Sequence, residues 1–121
     1  MTDKTDVLEI NAAFYCAMRE GDYFRMQEIW SDRQDISCTH PSGPPIFGRR
    51  EVMESWWQIF AFSGAVSVEE DECEAVITGN TALVLCREKV GRSSMMASNA
   101  FQRESGVWRM INHQATQMPD A

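Results

Sequence analysis

The chain is short of positive charge. It has 11 Lys and Arg against 18 Asp and Glu, a formal net charge of -7 and a sequence pI near 4.7. An acidic surface repels phosphate backbones, which excludes a generic nucleic-acid binder, and it argues equally against docking on anionic lipid. Histidine is scarcer still: His40 and His113 are the only two, too few for a His-rich metal site. The four cysteines, Cys16, Cys38, Cys73 and Cys86, contain no CxxC pair, so zinc-ribbon and thioredoxin-type readings fail. No apolar run approaches the ~18–20 residues of a membrane span. The polar start, Met1 to Asp6, has no apolar signal core behind it. No Gly-rich phosphate loop and no nucleophile elbow is present. The even count of cysteines permits disulfides, but without a signal core the expectation is a cytoplasmic protein, in which buried free thiols behave as small hydrophobes.

What is present suffices for one folded domain. The 121 residues are 44% hydrophobic and 24% charged, with four Trp and six Phe, so residues 1–121 are expected to fold as a unit, ordered from about 6 to 117. Val7, Ile10, Phe14, Ala17 and Met18 recur at helical spacing over 6–20. Asp6 and Glu9 are expected to form a capping box at its start and Gly21 to end it. Asp22 is placed to cap a short helix through Trp30. Ile36, Cys38 and His40 then alternate along a strand over 35–40, and the stretch from Pro41 to Pro45 reads as irregular. A third helix over 49–62 carries Val52, Trp56, Ile59 and Phe60 on one face. Four strands follow, over 65–77, 81–90, 94–102 and 107–116, separated by Gly79-Asn80, Gly91-Arg92-Ser93 and Glu104-Ser105-Gly106. Helices first and a meander after give an α+β fold with helices packed on one face of a bent antiparallel sheet.

This order of elements resembles the nuclear transport factor two-like superfamily, and the local words are similar to its SnoaL-like domains. These words are Asn11-Ala12-Ala13-Phe14-Tyr15, Gly21-Asp22, Trp30, His40-Pro41, Gly48-Arg49, Ser55-Trp56 and Trp108-Arg109. The resemblance covers about 7–119. It implies a cone-shaped fold, three N-terminal helices on a strongly curved antiparallel sheet, around an internal pocket. It also implies a homodimer, expected through the outer sheet face, and relatives that include ketosteroid isomerases, polyketide cyclases, dehydratases and epoxide hydrolases.

His40 is the sharpest candidate for chemistry. It ends a strand before a proline-rich loop, and an imidazole at the mouth of an apolar pocket can take or give a proton near neutral pH. By the resemblance, His40-Pro41 falls where ketosteroid isomerases carry the Asp-Pro pair whose Asp moves the proton. The alternative is a histidine that anchors the loop. Tyr15 corresponds to the helix-one Tyr that stabilises an oxyanion in those isomerases; otherwise it is a core aromatic. Their second oxyanion donor, an Asp, aligns with Ala97, and Asn99 is the nearest substitute. Trp30, Trp56, Phe60 and Phe101 would line the pocket or fill the core. On the last strand the Trp108 face is expected inward, bringing Asn112 and Gln114 with it and turning His113 to the dimer surface. The acidic run from Glu69 to Glu72 reads as a solvated strand edge.

The reading is a small-molecule-binding protein whose ligand is small and apolar or aromatic. The alternative is a cofactor-independent isomerase, cyclase or dehydratase with His40 as general base and Tyr15 as oxyanion donor, calling on no metal and no cofactor. A third possibility is an assembly domain. Nucleic acid and membrane are not expected as partners.

Overall fold

A computed structural model describes residues 2–119. Three helices come early: α1 (Asp3–Glu20), α2 (Tyr23–Ile29) and α3 (Arg49–Ser63). They combine with six strands: β1 (Ser37–Thr39), β2 (Pro45–Phe47), β3 (Val68–Thr78), β4 (Thr81–Val90), β5 (Ser93–Glu104) and β6 (Val107–Gln117). The strands form one sheet in the order β2-β1-β6-β5-β4-β3. All neighbours are antiparallel except β1 and β6, which run parallel with Cys38 opposite His113. The fold is α+β, as the pattern of elements requires, but its sheet is mixed at the β1–β6 step.

The first helix starts earlier than Asp6. Thr2 caps it, its hydroxyl accepting the Thr5 amide at 3.2 Å, so the expected Asp6–Glu9 box gives way to a threonine cap one turn upstream. Asp6 instead sits in the first turn, where its charge complements the helix dipole. Gly21 ends the helix in the left-handed region, at φ 62°, and Asp22 caps α2 by accepting the Arg25 amide at 3.0 Å. Arg49 closes the other end of α2. Its guanidinium donates to the carbonyls of Gln27, Trp30 and Ser31, and its Nε lies 3.6 Å from Asp32 Oδ1.

The stretch read as irregular is so over residues 41–44, but its last residue, Pro45, opens strand β2. Pro45 pairs with Thr39 at the sheet edge, where a missing amide costs no ladder hydrogen bond. The strand expected from Ala65 starts at Val68.

Two bulges set which residues point inward. On β3, Glu72 takes φ 54° and the pairing slips between Asp71 and Glu74. The buried side moves from Val68 and Glu70 to Cys73, Ala75 and Ile77. On β6 the pairing slips at Ile111: Met110 pairs with Phe101 and Asn112 with Ala100. Trp108 and Met110 therefore face inward before the bulge, and His113 and Ala115 after it. The expectation that Asn112 and Gln114 follow the Trp108 face is overturned by this one extra residue. Gln114 is exposed, Asn112 donates to the Ser37 hydroxyl at 2.7 Å on the other side, and His113 is buried at 1% exposure.

The core lies between α1, α3 and the inner sheet face. Phe14 packs edge-on against Tyr15, Trp30 and Trp56, with ring centroids 5.0, 6.5 and 5.5 Å apart. Of the adjacent pair on α3, Trp56 turns into this core and Trp57 is exposed. The outer sheet face shows Val76, Leu83, Leu85 and Met96 to solvent. Among the described residues, no helix is long and apolar enough to cross a membrane.

Candidate functional site

A cavity of about 210 Å³ opens between α1, α3 and the sheet. Its walls are apolar: Met18 from α1, Trp56 and Ile59 from α3, Val66, and Val90 and Met95 from the sheet. Into these walls are set three titratable side chains, His40, Glu88 and His113.

Each has a structural reason to be there. His40 follows β1 on the same face as buried Cys38, and its ring meets Trp56 edge-on at 4.8 Å. His113 faces inward because of the bulge at Ile111. Glu88 belongs to the inward row Ala82, Val84, Cys86, Glu88 of β4 and is only 2% exposed.

The ring nitrogens are assigned by their partners. The Ser55 hydroxyl donates to the Val52 carbonyl at 2.6 Å, so its hydrogen is spent. It must then accept from His40 Nε2 at 2.9 Å, which places the proton on Nε2 and leaves Nδ1 as the basic nitrogen. Burial lowers the pKa of His40, keeping the ring neutral. Burial, and secondarily the neighbouring His40, also lowers His113, to about 3.

Behind the cavity wall runs a buried hydrogen-bond network. The Tyr15 hydroxyl donates to Glu88 Oε2 at 2.6 Å and lies 3.2 Å from Cys86 Sγ. Asn99 Nδ2 donates to Asn11 Oδ1 at 2.8 Å and to the Tyr15 hydroxyl at 3.0 Å. Asn99 Oδ1 lies 2.6 Å from His113 Nδ1. Burial holds the Tyr15 phenol far above its ordinary range, with the adjacent Glu88 adding to the rise, so Tyr15 is a fixed donor. Burial also raises the Glu88 carboxyl, against the lowering effect of the Tyr15 hydrogen bond.

Of the residues singled out from sequence, His40 and Trp56 line the cavity. Tyr15 and Asn99 stand one layer behind it, engaged with Glu88 and His113. Trp30 and Phe101 are fully buried core residues, and Phe60 is half-buried beside Trp56 at 5.9 Å. Asn112 and Gln114 lie on the far face of the sheet. Glu88 and His113 were missed as inward polar groups. Period two did place Glu88 with Val84 and Cys86, and an acidic residue in an apolar row was the available signal. Among the described residues, no group of three or more His, Cys, Asp or Glu is arranged to hold a metal ion. What the site can do is move protons between neutral groups in an apolar enclosure.

Known proteins of similar structure share this frame. A candidate dehydratase of the NTF2-like family from Streptomyces avermitilis superposes with a TM-score of 0.90 at 29% identity, covering 98% of this chain and 97% of that one. A protein with a cystatin-like fold from Caulobacter vibrioides gives 0.84 at 18% identity, over 98% and 92% of the two chains. By sequence, the F-box protein SKIP8 of Arabidopsis thaliana is 23% identical over 114 residues, 93% of this chain. The chain spans about half the length of that curated relative, 49%. A model of the SnoaL-like domain matches residues 7–121, and the chain belongs to that family.

Proposed function

We propose that the protein is a cofactor-independent acid–base enzyme, an isomerase or a dehydratase, acting on a small uncharged carbonyl compound. The observation that carries this reading is the convergence of His40, Glu88 and His113 on one apolar cavity. A cavity meant only to hold an apolar ligand gains nothing from three titratable groups, each of which is costly to bury. At about 210 Å³ it lies below the ~300 Å³ lower end of typical ligand sites, so the ligand is on the scale of a single ring or a short chain. Its walls, and the neutral state of both imidazoles, select against a charged ligand. His40 is the general base: Nδ1 is free while Nε2 is held by Ser55. The candidate dehydratase similar to this chain supports the dehydratase form of the reading.

The test is proton exchange. Cyclohexanone and a small hydroxyketone are incubated with the protein in D₂O and their carbon-bound protons followed by NMR. Acceleration over buffer, lost in His40→Asn, is the expected result. Binding without exchange in the native protein would leave a ligand carrier instead of an enzyme.

A second copy of this chain is proposed to cover the outer sheet face. Val76 and Leu83 are directly paired and both exposed, and Arg87, Lys89, Glu69 and Asp71 rim them with both signs of charge. Where one patch meets its own copy across a twofold axis, that mixture lets opposite charges face each other. Sedimentation of Leu83→Lys at the mass of one chain, against two for the native protein, is the expected outcome.

A further inference from the structure

Glu88 is the one buried carboxyl among the described residues, and neither helix caps nor ion pairs account for it. The charged and titratable groups around it come from every neighbouring element. α1 supplies Tyr15 and Arg19, β3 supplies its register partner Glu70, and β4 itself supplies Cys86. β1 supplies Cys38, β6 supplies His113, and the loop after β1 supplies His40. Arg19 is taken by Glu70 at 2.6 Å, and no Lys or Arg among the described residues pairs with Glu88.

His113 offers no compensating cation. Tyr15 spends its hydrogen on Glu88, so Asn99 must turn its nitrogen toward Tyr15 and its oxygen toward His113. A carbonyl oxygen only accepts, which fixes the proton of His113 on Nδ1. Burial keeps the ring neutral, so with the proton on Nδ1 it is the unprotonated Nε2 that faces Glu88 Oε2, 4.0 Å away. A lone pair opposite a carboxylate is repulsive, and opposite a neutral carboxyl it is tolerated. Burial and this fixed ring act in the same direction.

We infer that Glu88 is a second catalytic residue, a carboxylic acid kept un-ionised by its surroundings that protonates a ligand's carbonyl oxygen while His40 takes a proton from the adjacent carbon. The inference rests on the acid–base reading of the cavity. Tyr15 already donates to Oε2, so the acid proton sits on Oε1. In the step, the C–H bond breaks and an N–H bond forms on His40 Nδ1. The C–H electron pair becomes the C=C bond of an enol, the carbonyl π pair moves to oxygen, and that oxygen takes the Oε1 proton. Imidazolium and carboxylate remain. In an isomerisation, His40 returns its proton to a different carbon. In a dehydration, it delivers the proton to a β-hydroxyl that leaves as water. In both, Glu88 recovers its proton from the enol and the site resets with no other reactant. Asn11 and Asn99 are positioning residues, acting through His113. The substrate class narrows to neutral ketones and aldehydes with a C–H next to the carbonyl. Carboxylate substrates find no cation to receive them.

Two measurements decide it. Infrared difference spectra of the native protein against Glu88→Gln, at neutral pH and without ligand, should show a protonated-carboxyl band that the variant lacks. Absence of that band overturns the inference. Exchange of cyclohexanone protons in D₂O should fall about 100-fold in Glu88→Gln, the lower range for loss of a general acid. In Asn99→Asp the alkaline limb of the exchange profile should move to lower pH, because a protonated His113 would favour the Glu88 carboxylate. Exchange lost in His40→Asn but kept in Glu88→Gln would overturn the role of Glu88 and leave the acid–base reading standing. No exchange in the native protein would overturn both, even with the carboxyl band present.

Discussion

His113 Nδ1 stands 2.6 Å from Asn99 Oδ1 in the interior, and the ring is neutral there, its pKa lowered to about 3 from an ordinary 6.5. The unfolded chain binds the proton more readily than the folded one, so the stability this ring contributes is fully present above pH 6.5. It is lost as pH falls through the folded value near 3. His40 is lowered in the same direction. Between pH 7 and pH 4, urea unfolding should show the native protein losing stability relative to His113→Asn by up to about 1.4 kcal/mol per pH unit. Equal slopes in the two proteins would place the imidazole in contact with water.

Glu88 acts in the opposite direction. Its folded pKa is raised above the ordinary 4.5. Its contribution is therefore fully present below pH 4.5 and lost as pH rises through the folded value. Glu88→Gln keeps the size of the side chain and cannot ionise. Relative to the native protein, the variant should gain stability as pH rises from 4.5, which thermal melts of both proteins at a series of pH values will show. A difference independent of pH would mean that Glu88 ionises equally easily in both states.

Trp56 combines two facts that usually exclude one another. It is buried at 1% exposure and lines the cavity, yet its indole Nε1 has no hydrogen-bond partner. An unmatched buried donor costs about 1–3 kcal/mol. Trp56→Phe removes that donor together with part of the ring, so the two effects offset and stability should change by less than about 1.5 kcal/mol. If the donor serves a ligand, the variant should weaken binding of cyclohexanone and not of cyclohexane, measured by chemical-shift titration. Equal weakening of both would assign Trp56 to packing alone.

Much of this could be read from residue order. The helical stripe of α1, the Gly21 stop, the Asp22 cap and the four-strand meander follow from spacing and turn residues, because local sterics decide them. His40 and Trp56 were placed at a cavity by the words around them. The rest depended on register. A bulge costs one residue and reverses every side chain beyond it, so His113 and Asn112 exchanged faces. The slip leaves a trace: apolar Met110 and Ile111 stand side by side, and the buried alternation resumes at His113 and Ala115. Tyr15 shows a different limit. Its place on α1 was correct, but only the fold reveals that its hydroxyl is committed to Glu88, 73 residues away in the chain.

The bulge itself makes the last prediction. Ile111 is the residue left without a partner between Met110–Phe101 and Asn112–Ala100. Deleting it would leave Met110, Asn112 and His113 consecutive, opposite Phe101, Ala100 and Asn99, an unbroken register. Met110 and His113 would then both still face inward. The deletion removes a half-buried isoleucine that packs against the core, a loss of about 1–2 kcal/mol, and straightens β6. The variant should therefore fold, and it should keep the His113 Nδ1–H resonance that reports the hydrogen bond to Asn99, observed by ¹⁵N-labelled NMR. Loss of that resonance in a folded variant would show that the bend at Ile111, and not the parity it sets, is what brings His113 to the cavity.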